Sequence, residues 1–196
     1  MIRVIAGIAG GMKLKTIDSD STKPTLDRVK EAMFSMIYNW FPCENVLDLF
    51  SGNGSLGIEA LSRGACRAVM NDKSKACCSV IKENLSHTGF SKKVDVYSKD
   101  FSELISVMRK EGRYFDLVLL DPPYGRGLIG ETLCLLQKSG ICGIPDKNGC
   151  RGDCIVVAEH SVQDDIKDCY GGFERLKCKK YGTVAVSVFI LSRDKE

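Results

Sequence analysis

Short apolar runs along the chain alternate with longer stretches in which apolar residues recur every three or four positions. Val46 to Phe50, Arg67 to Asp72, Val94 to Tyr97, Asp116 to Asp121, Cys154 to Glu159, Phe173 to Lys179 and Thr183 to Leu191 predict strands. Ser55 to Arg63, Ser74 to Ser86, Ser102 to Lys110, Leu128 to Lys138 and Val162 to Cys169 predict helices between them. Ahead of these, Leu26, Val29, Met33, Met36, Ile37 and Trp40 predict a helix behind Pro24, with Thr25 as its N-cap and Pro42 as its limit. Strand alternating with helix implies an α/β fold, because a parallel connection needs a crossover long enough to hold a helix.

The ends of the chain break this rhythm. Ile2 to Ala6 and Met12 to Ile17 predict a basic β-hairpin about Gly7-Ile8-Ala9-Gly10-Gly11, followed by a polar linker to Lys23. Lys180-Tyr181-Gly182 predicts a tight connection between the last two strands, and Gly140 to Asp153 a loop. The expected organisation is a hairpin and linker over 1–22 and one domain over 23–196.

Composition narrows the class. A chain of 196 residues with 44% hydrophobic content can bury one sizeable core. No apolar stretch is long enough to span a bilayer, and the opening Met1 to Gly7 is too short for a signal peptide, so a cytoplasmic location is expected. In that compartment the ten cysteines stay reduced. None forms Cys-x-x-Cys, the spacings of Cys134, Cys142, Cys150 and Cys154 match no zinc pattern, and no metal is expected. Cys77, Cys78 and Cys154 read as small core residues. The net charge of +3 is mild, but Arg3, Lys13, Lys15, Lys23, Arg28 and Lys30 gather near the N-terminus. Such a cluster suits an ordinary solvated surface or a nucleic-acid contact.

Asp121-Pro122-Pro123-Tyr124 ends a buried strand with a carboxylate, two rigid residues and an aromatic ring. Ligands of open α/β sheets bind at that carboxyl edge. Proline fixes φ and removes amide donors, leaving carbonyls to face a ligand. Asp121 and the Pro122 carbonyl can then accept both N–H bonds of an exocyclic amine while Tyr124 stacks on its ring. A simple strand-ending turn would use the same residue types.

Val46 to Gly57 reads as strand, glycine turn and helix start, and contains a literal G-x-G-x-x-G. A nicotinamide dinucleotide is one occupant of such a turn. Asp48 argues for a cationic ligand instead, since a carboxylate beside a diphosphate repels it. S-adenosylmethionine, with its sulfonium and ammonium groups, fits Asp48, Phe50, Gly52 and Gly54, and Asp72 suits ribose hydroxyls under either reading. Asp100 is placed to accept an adenine amine with Phe101 on the ring, or merely to cap the next helix. Asp48, Asp72, Asp100 and Asp121 each end or closely follow a successive strand, which capping alone does not explain.

With Lys23-Pro-Thr-Leu-Asp-Arg-Val-Lys-Glu31 and Glu59-Ala-Leu-Ser-Arg-Gly-Ala65 added, these motifs resemble the RsmD-type 16S rRNA (guanine-N2) methyltransferases from Met1 to about Gly125. The resemblance implies a Rossmann-like class I methyltransferase fold, a seven-stranded, mostly parallel sheet with its last strand antiparallel and helices on both faces, beside the short N-terminal β-hairpin, with S-adenosylmethionine as cofactor. It also implies N2 methylation of a guanine in 16S ribosomal RNA, on an assembled or partly assembled small subunit; the chain itself is expected to be a monomer. It carries over Asp48, Gly52, Gly54, Asp72 and Asp100 as cofactor positions and Asp121, Pro122 and Tyr124 as the target-base motif. Arg28, with Arg3, Lys13, Lys15 and Lys23, is expected to meet RNA. The chain departs from the family in its glycine-rich hairpin turn, in Lys23 where arginine is common, and in the Gly140 to Asp153 loop. An amino-methyltransferase of DNA adenine or cytosine, or of protein glutamine, remains the alternative.

Overall fold

The computed structural model describes residues 2–17, 24–146 and 152–192, with backbone alone at 24–26. Lys23, the linker from Asp18, Cys150 and part of the Gly140 to Asp153 loop lie outside the described residues. The chain forms two compact units, Met1–Asp100 and Phe101–Glu196.

The first unit holds the hairpin β1 (Ile2–Arg3) and β2 (Lys13–Leu14), then α1 (Pro24–Met36), β3 (Asn45–Asp48), α2 (Ser55–Ser62), β4 (Arg67–Asn71), α3 (Lys75–Thr88) and β5 (Val94–Tyr97). β4 lies between β3 and β5 and runs parallel to both, pairing Asn45 with Arg67 and Ala68 with Val94. Val46, Leu47 and Val69 are wholly buried, which is why these strands read as apolar runs rather than alternations. Ser74, where the pattern starts a helix, accepts the Cys77 amide and caps α3. Thr25 is not an N-cap, because α1 already starts at Pro24, whose missing N–H costs nothing in a first turn.

Both hairpin strands are shorter than predicted: cross-hairpin bonding continues only to Val4, which donates to the Met12 carbonyl and accepts from the Gly11 amide, and beyond it the backbone bonds to helices, Lys15 to Asn84 of α3 and Ile5 and Ala6 to α2. Buried Glu59 of α2 accepts the amides of Ile5 (2.7 Å) and Ala6 (3.1 Å) and pairs with Arg63 (2.7 Å) and with buried Lys30 (3.5 Å). Burial pulls the Lys30 amine down from its ordinary value, and Glu59 opposes that shift. Lys30 is thus structural, not part of a solvated cluster. Gly7, at φ +81°, lies so close to α2 that a Cβ would stand 1.8 Å from the Ser62 carbonyl oxygen. Only glycine fits there.

The second unit comprises α4 (Phe101–Lys110), β6 (Leu117–Leu120), α5 (Leu128–Ser139), β7 (Cys154–Ser161), β8 (Cys169–Tyr170), β9 (Phe173–Tyr181) and β10 (Val184–Leu191). β6 and β7 are parallel; β10 runs antiparallel to β7 on one side and to β9 on the other. The last strand is therefore reversed, as expected for this fold class, while the two-residue β8, paired with β9, is a strand beyond the seven expected. The predicted helix from Val162 to Cys169 does not form: this stretch is turns leading into β8. Asp164 accepts the amides of Ser161 and Gly125, both at 3.0 Å, so its side chain fixes a turn where the periodicity suggested a helix. The β9–β10 connection is shorter than predicted, since Tyr181 still pairs with Val184 and leaves Gly182 and Thr183 as a two-residue turn. Cys78 and Cys154 are buried as expected, whereas Cys77 is only half-buried. Burial and the neighbouring Cys142 thiol push the Cys154 thiol well up.

Candidate functional site

In the first unit, β3 delivers Asp48 to the base of the glycine turn. Its side chain is fully buried and Oδ2 accepts the Gly57 amide of α2 at 3.0 Å, while Oδ1 has no hydrogen-bond partner. Burial raises its carboxyl to about 7 against opposing hydrogen bonds. Gly57 permits the approach: a Cβ there would lie 2.4 Å from Met70 Cε and 3.2 Å from Asp48 Oδ2. Gly52 and Gly54 have φ of +55° and +83°, and no atom lies within 4 Å of where a Gly52 Cβ would stand. The turn is open on that side.

Asp72 is half-buried just after β4 and braces this turn. Oδ2 accepts the Gly52 amide (2.9 Å) and Oδ1 the Ser74 amide (2.8 Å), leaving further lone pairs on both oxygens. Buried Asn71 was not singled out from sequence, yet it joins three strand ends. Its amide group donates to the carbonyls of Leu49 (3.2 Å) and Lys99 (3.0 Å), and its oxygen accepts the Lys99 amide (3.1 Å). Its place beside Asp72 was the available signal. Phe50 is half-buried and Asp100 exposed. Arg3, Lys13, Lys15 and Arg28 are exposed; Arg3 pairs with Asp27 (3.3 Å) and Lys15 with Glu83 (2.6 Å).

In the second unit, Phe101 begins α4 and is buried, and β6 runs fully buried into Asp121. Asp121 is half-buried, Pro122 buried, Pro123 and Tyr124 exposed. The Tyr124 hydroxyl donates to Glu159 Oε1 at 2.6 Å while the residue stays 43% exposed. The ring is therefore tethered by its inner end with its face available. Burial drives the Tyr124 phenol up and Glu159 reinforces the shift; burial also raises Glu159, which the phenol counters. Asp164 holds the Gly125 amide, giving the loop a second tie to the segment after β7. Glu159 and Asp164 escaped sequence analysis; Glu159 lies two residues before the end of β7, inside the buried strand.

The profile of a family described as conserved hypothetical protein 95 matches residues 2–190. Ribosomal RNA small subunit methyltransferase D of Escherichia coli (strain K12) is 36% identical over 141 residues, covering 71% of this chain and 68% of that protein. YlbH of Bacillus subtilis (strain 168), provisionally named an rRNA methyltransferase, is 32% identical over 188 residues, 96% of this chain and 98% of its own. The solved structure of yhhF from Escherichia coli, provisionally described as a methyltransferase, superposes with a TM-score of 0.81 at 26% identity, over 97% of this chain and 98% of that one.

Proposed function

Because this chain belongs to the RsmD-type family of S-adenosylmethionine-dependent methyltransferases, we propose that it methylates the N2 amine of one guanine in 16S ribosomal RNA, on an assembled or partly assembled small subunit. The observation that carries this reading is the Tyr124 ring, held open to solvent by a hydroxyl anchored on buried Glu159, next to a carboxylate and two prolines. A flat base bearing an amine suits that arrangement.

S-adenosylmethionine supplies, when bound, a methyl group already activated by a sulfonium. The first unit fits it: the unpartnered Asp48 Oδ1 is a buried acceptor, and the space over Gly52 admits a close ligand. Asp48, Phe50, Gly52 and Gly54 would hold its charged portion, Asp72 its ribose hydroxyls, and Asp100 with Phe101 its adenine. In the second unit, Asp121 and the Pro122 carbonyl take the two N–H bonds of the amine, favouring the pyramidal nitrogen over the conjugated planar one. Asp121 need not be a strong base, since the nitrogen turns acidic once it carries the extra methyl. Tyr124 stacks on the base and holds the nitrogen in line. Arg3, Lys13, Lys15, Lys23 and Arg28 contribute phosphate contacts.

The test uses labelled donor with small subunits from a strain lacking this protein, and separately with naked 16S RNA, DNA and release factor. Label recovered from the small subunit as N2-methylguanosine is expected. Label in DNA, in protein or in another nucleoside would overturn the assignment.

A further inference from the structure

β9 is exposed in a way the other strands are not. From Leu176 to Lys180 every residue is solvent-exposed, so side chains on both faces of the strand meet water. Leu176 itself is 49% exposed. On the outer edge, β8 pairs only with Phe173 and Glu174, and Arg175 is tied to Asp168. Beyond Arg175 no strand covers that edge among the described residues. The cross-strand neighbours on β10, from Val184 to Val188, include no acid.

This stretch reads Arg175-Leu-Lys-Cys-Lys-Lys-Tyr181 and contains no carboxylate. Lys177 and Lys179 share a face at a repeat of about 7 Å, with Lys180 on the opposite one. Lysines on an edge strand also discourage edge-to-edge association, and that is the competing explanation. It accounts for charge on the edge but not for the exposure of both faces.

We propose that the β9 edge is a second RNA-binding surface, separate from the basic N-terminal residues, in which Lys177, Lys179 and Lys180 contact the phosphate backbone of the substrate RNA without reading sequence. This rests on the assignment of ribosomal RNA as substrate. Chemistry is done elsewhere, so the surface acts on substrate affinity and its salt dependence.

Binding of the protein to small subunits from a strain lacking it is measured across a salt series for the wild type and for the triple variant Lys177→Gln, Lys179→Gln, Lys180→Gln. Sedimentation and donor affinity are recorded alongside. Neutralising three phosphate contacts is expected to lower the slope of log affinity against log salt by about 2 to 3. It should also raise KM for RNA while kcat and donor affinity hold. An unchanged slope and KM overturns the proposal, as does a variant that merely self-associates, or a wild type that dimerises through this edge. A wild type that neither binds nor methylates these subunits would instead overturn the substrate assignment.

Discussion

The two strand edges carrying the candidate chemistry are built on opposite principles. In the first unit the turn after β3 is rich in glycine, and carboxylates steady its amides from beneath: Asp48 takes Gly57 and Asp72 takes Gly52. In the second unit the loop after β6 has two prolines and so few amides, and its shape comes from latches, Tyr124 on Glu159 and Gly125 on Asp164. An edge of braced amides with one unsatisfied carboxylate oxygen accommodates a ligand carrying its own charge. An edge of carbonyls, a carboxylate and an exposed ring instead grips a flat donor of hydrogen bonds. Under the proposed function, the first edge would take the methyl donor and the second the methyl acceptor.

Four perturbations sharpen or break that contrast, and the largest effect is expected at Asp121. Asp121→Ala should lower kcat by at least about 100-fold through loss of amine positioning, with donor affinity unchanged by calorimetry. Near-normal turnover on small subunits would remove this carboxylate from the mechanism. Next comes Tyr124→Phe, which strands Glu159 in a buried site without its donor and should cost about 1–3 kcal/mol of stability by denaturant melt. Glu159→Gln keeps a polar partner for the phenol and should cost less. Equal losses in both variants would show that the contact does not orient the ring.

Comparable in stability but confined to the other unit, Gly57→Ala pushes a methyl toward Met70 and Asp48 and should cost roughly 1–3 kcal/mol while weakening donor binding. The last perturbation is one of pH. The Asp48 carboxyl titrates near 7 in the folded chain against an ordinary 3.8, so the folded form retains a proton that the unfolded form loses. The stability this provides is full below about 4 and declines as pH rises to about 7, by at most roughly 4 kcal/mol. A cationic ligand prefers the ionised form, so donor affinity should increase through that window, and Asp48→Asn should flatten the dependence. A flat profile in the wild type would dissociate Asp48 from the donor.

Much of this was legible in the chain itself, because burial on both faces writes a strand as an unbroken apolar run. The fully buried β6 falls within the predicted Asp116 to Asp121 run, Val94 to Tyr97 matches β5 residue for residue through its alternation instead, and each strand-end aspartate stands at or just beyond the carboxyl end of its strand. Partners distant in sequence left no such trace. Glu59 meets Ile5 across 54 positions and Tyr124 meets Glu159 across 35, so neither the hairpin's attachment nor the ring's tether follows from periodicity. The absent helix at Val162 to Cys169 has the same cause, since Asp164 spends its carboxylate on a glycine far upstream. Apolar patterning reports which face is covered, and it is silent about which polar atom lies beneath.

Calorimetric titration of S-adenosylmethionine into Asp72→Ala and Asp121→Ala proteins tests the division of labour most directly. The account predicts at least a tenfold loss of affinity in the first, equivalent to about 1.4 kcal/mol, and none in the second. Unchanged affinity in Asp72→Ala, or a loss confined to Asp121→Ala, would contradict it.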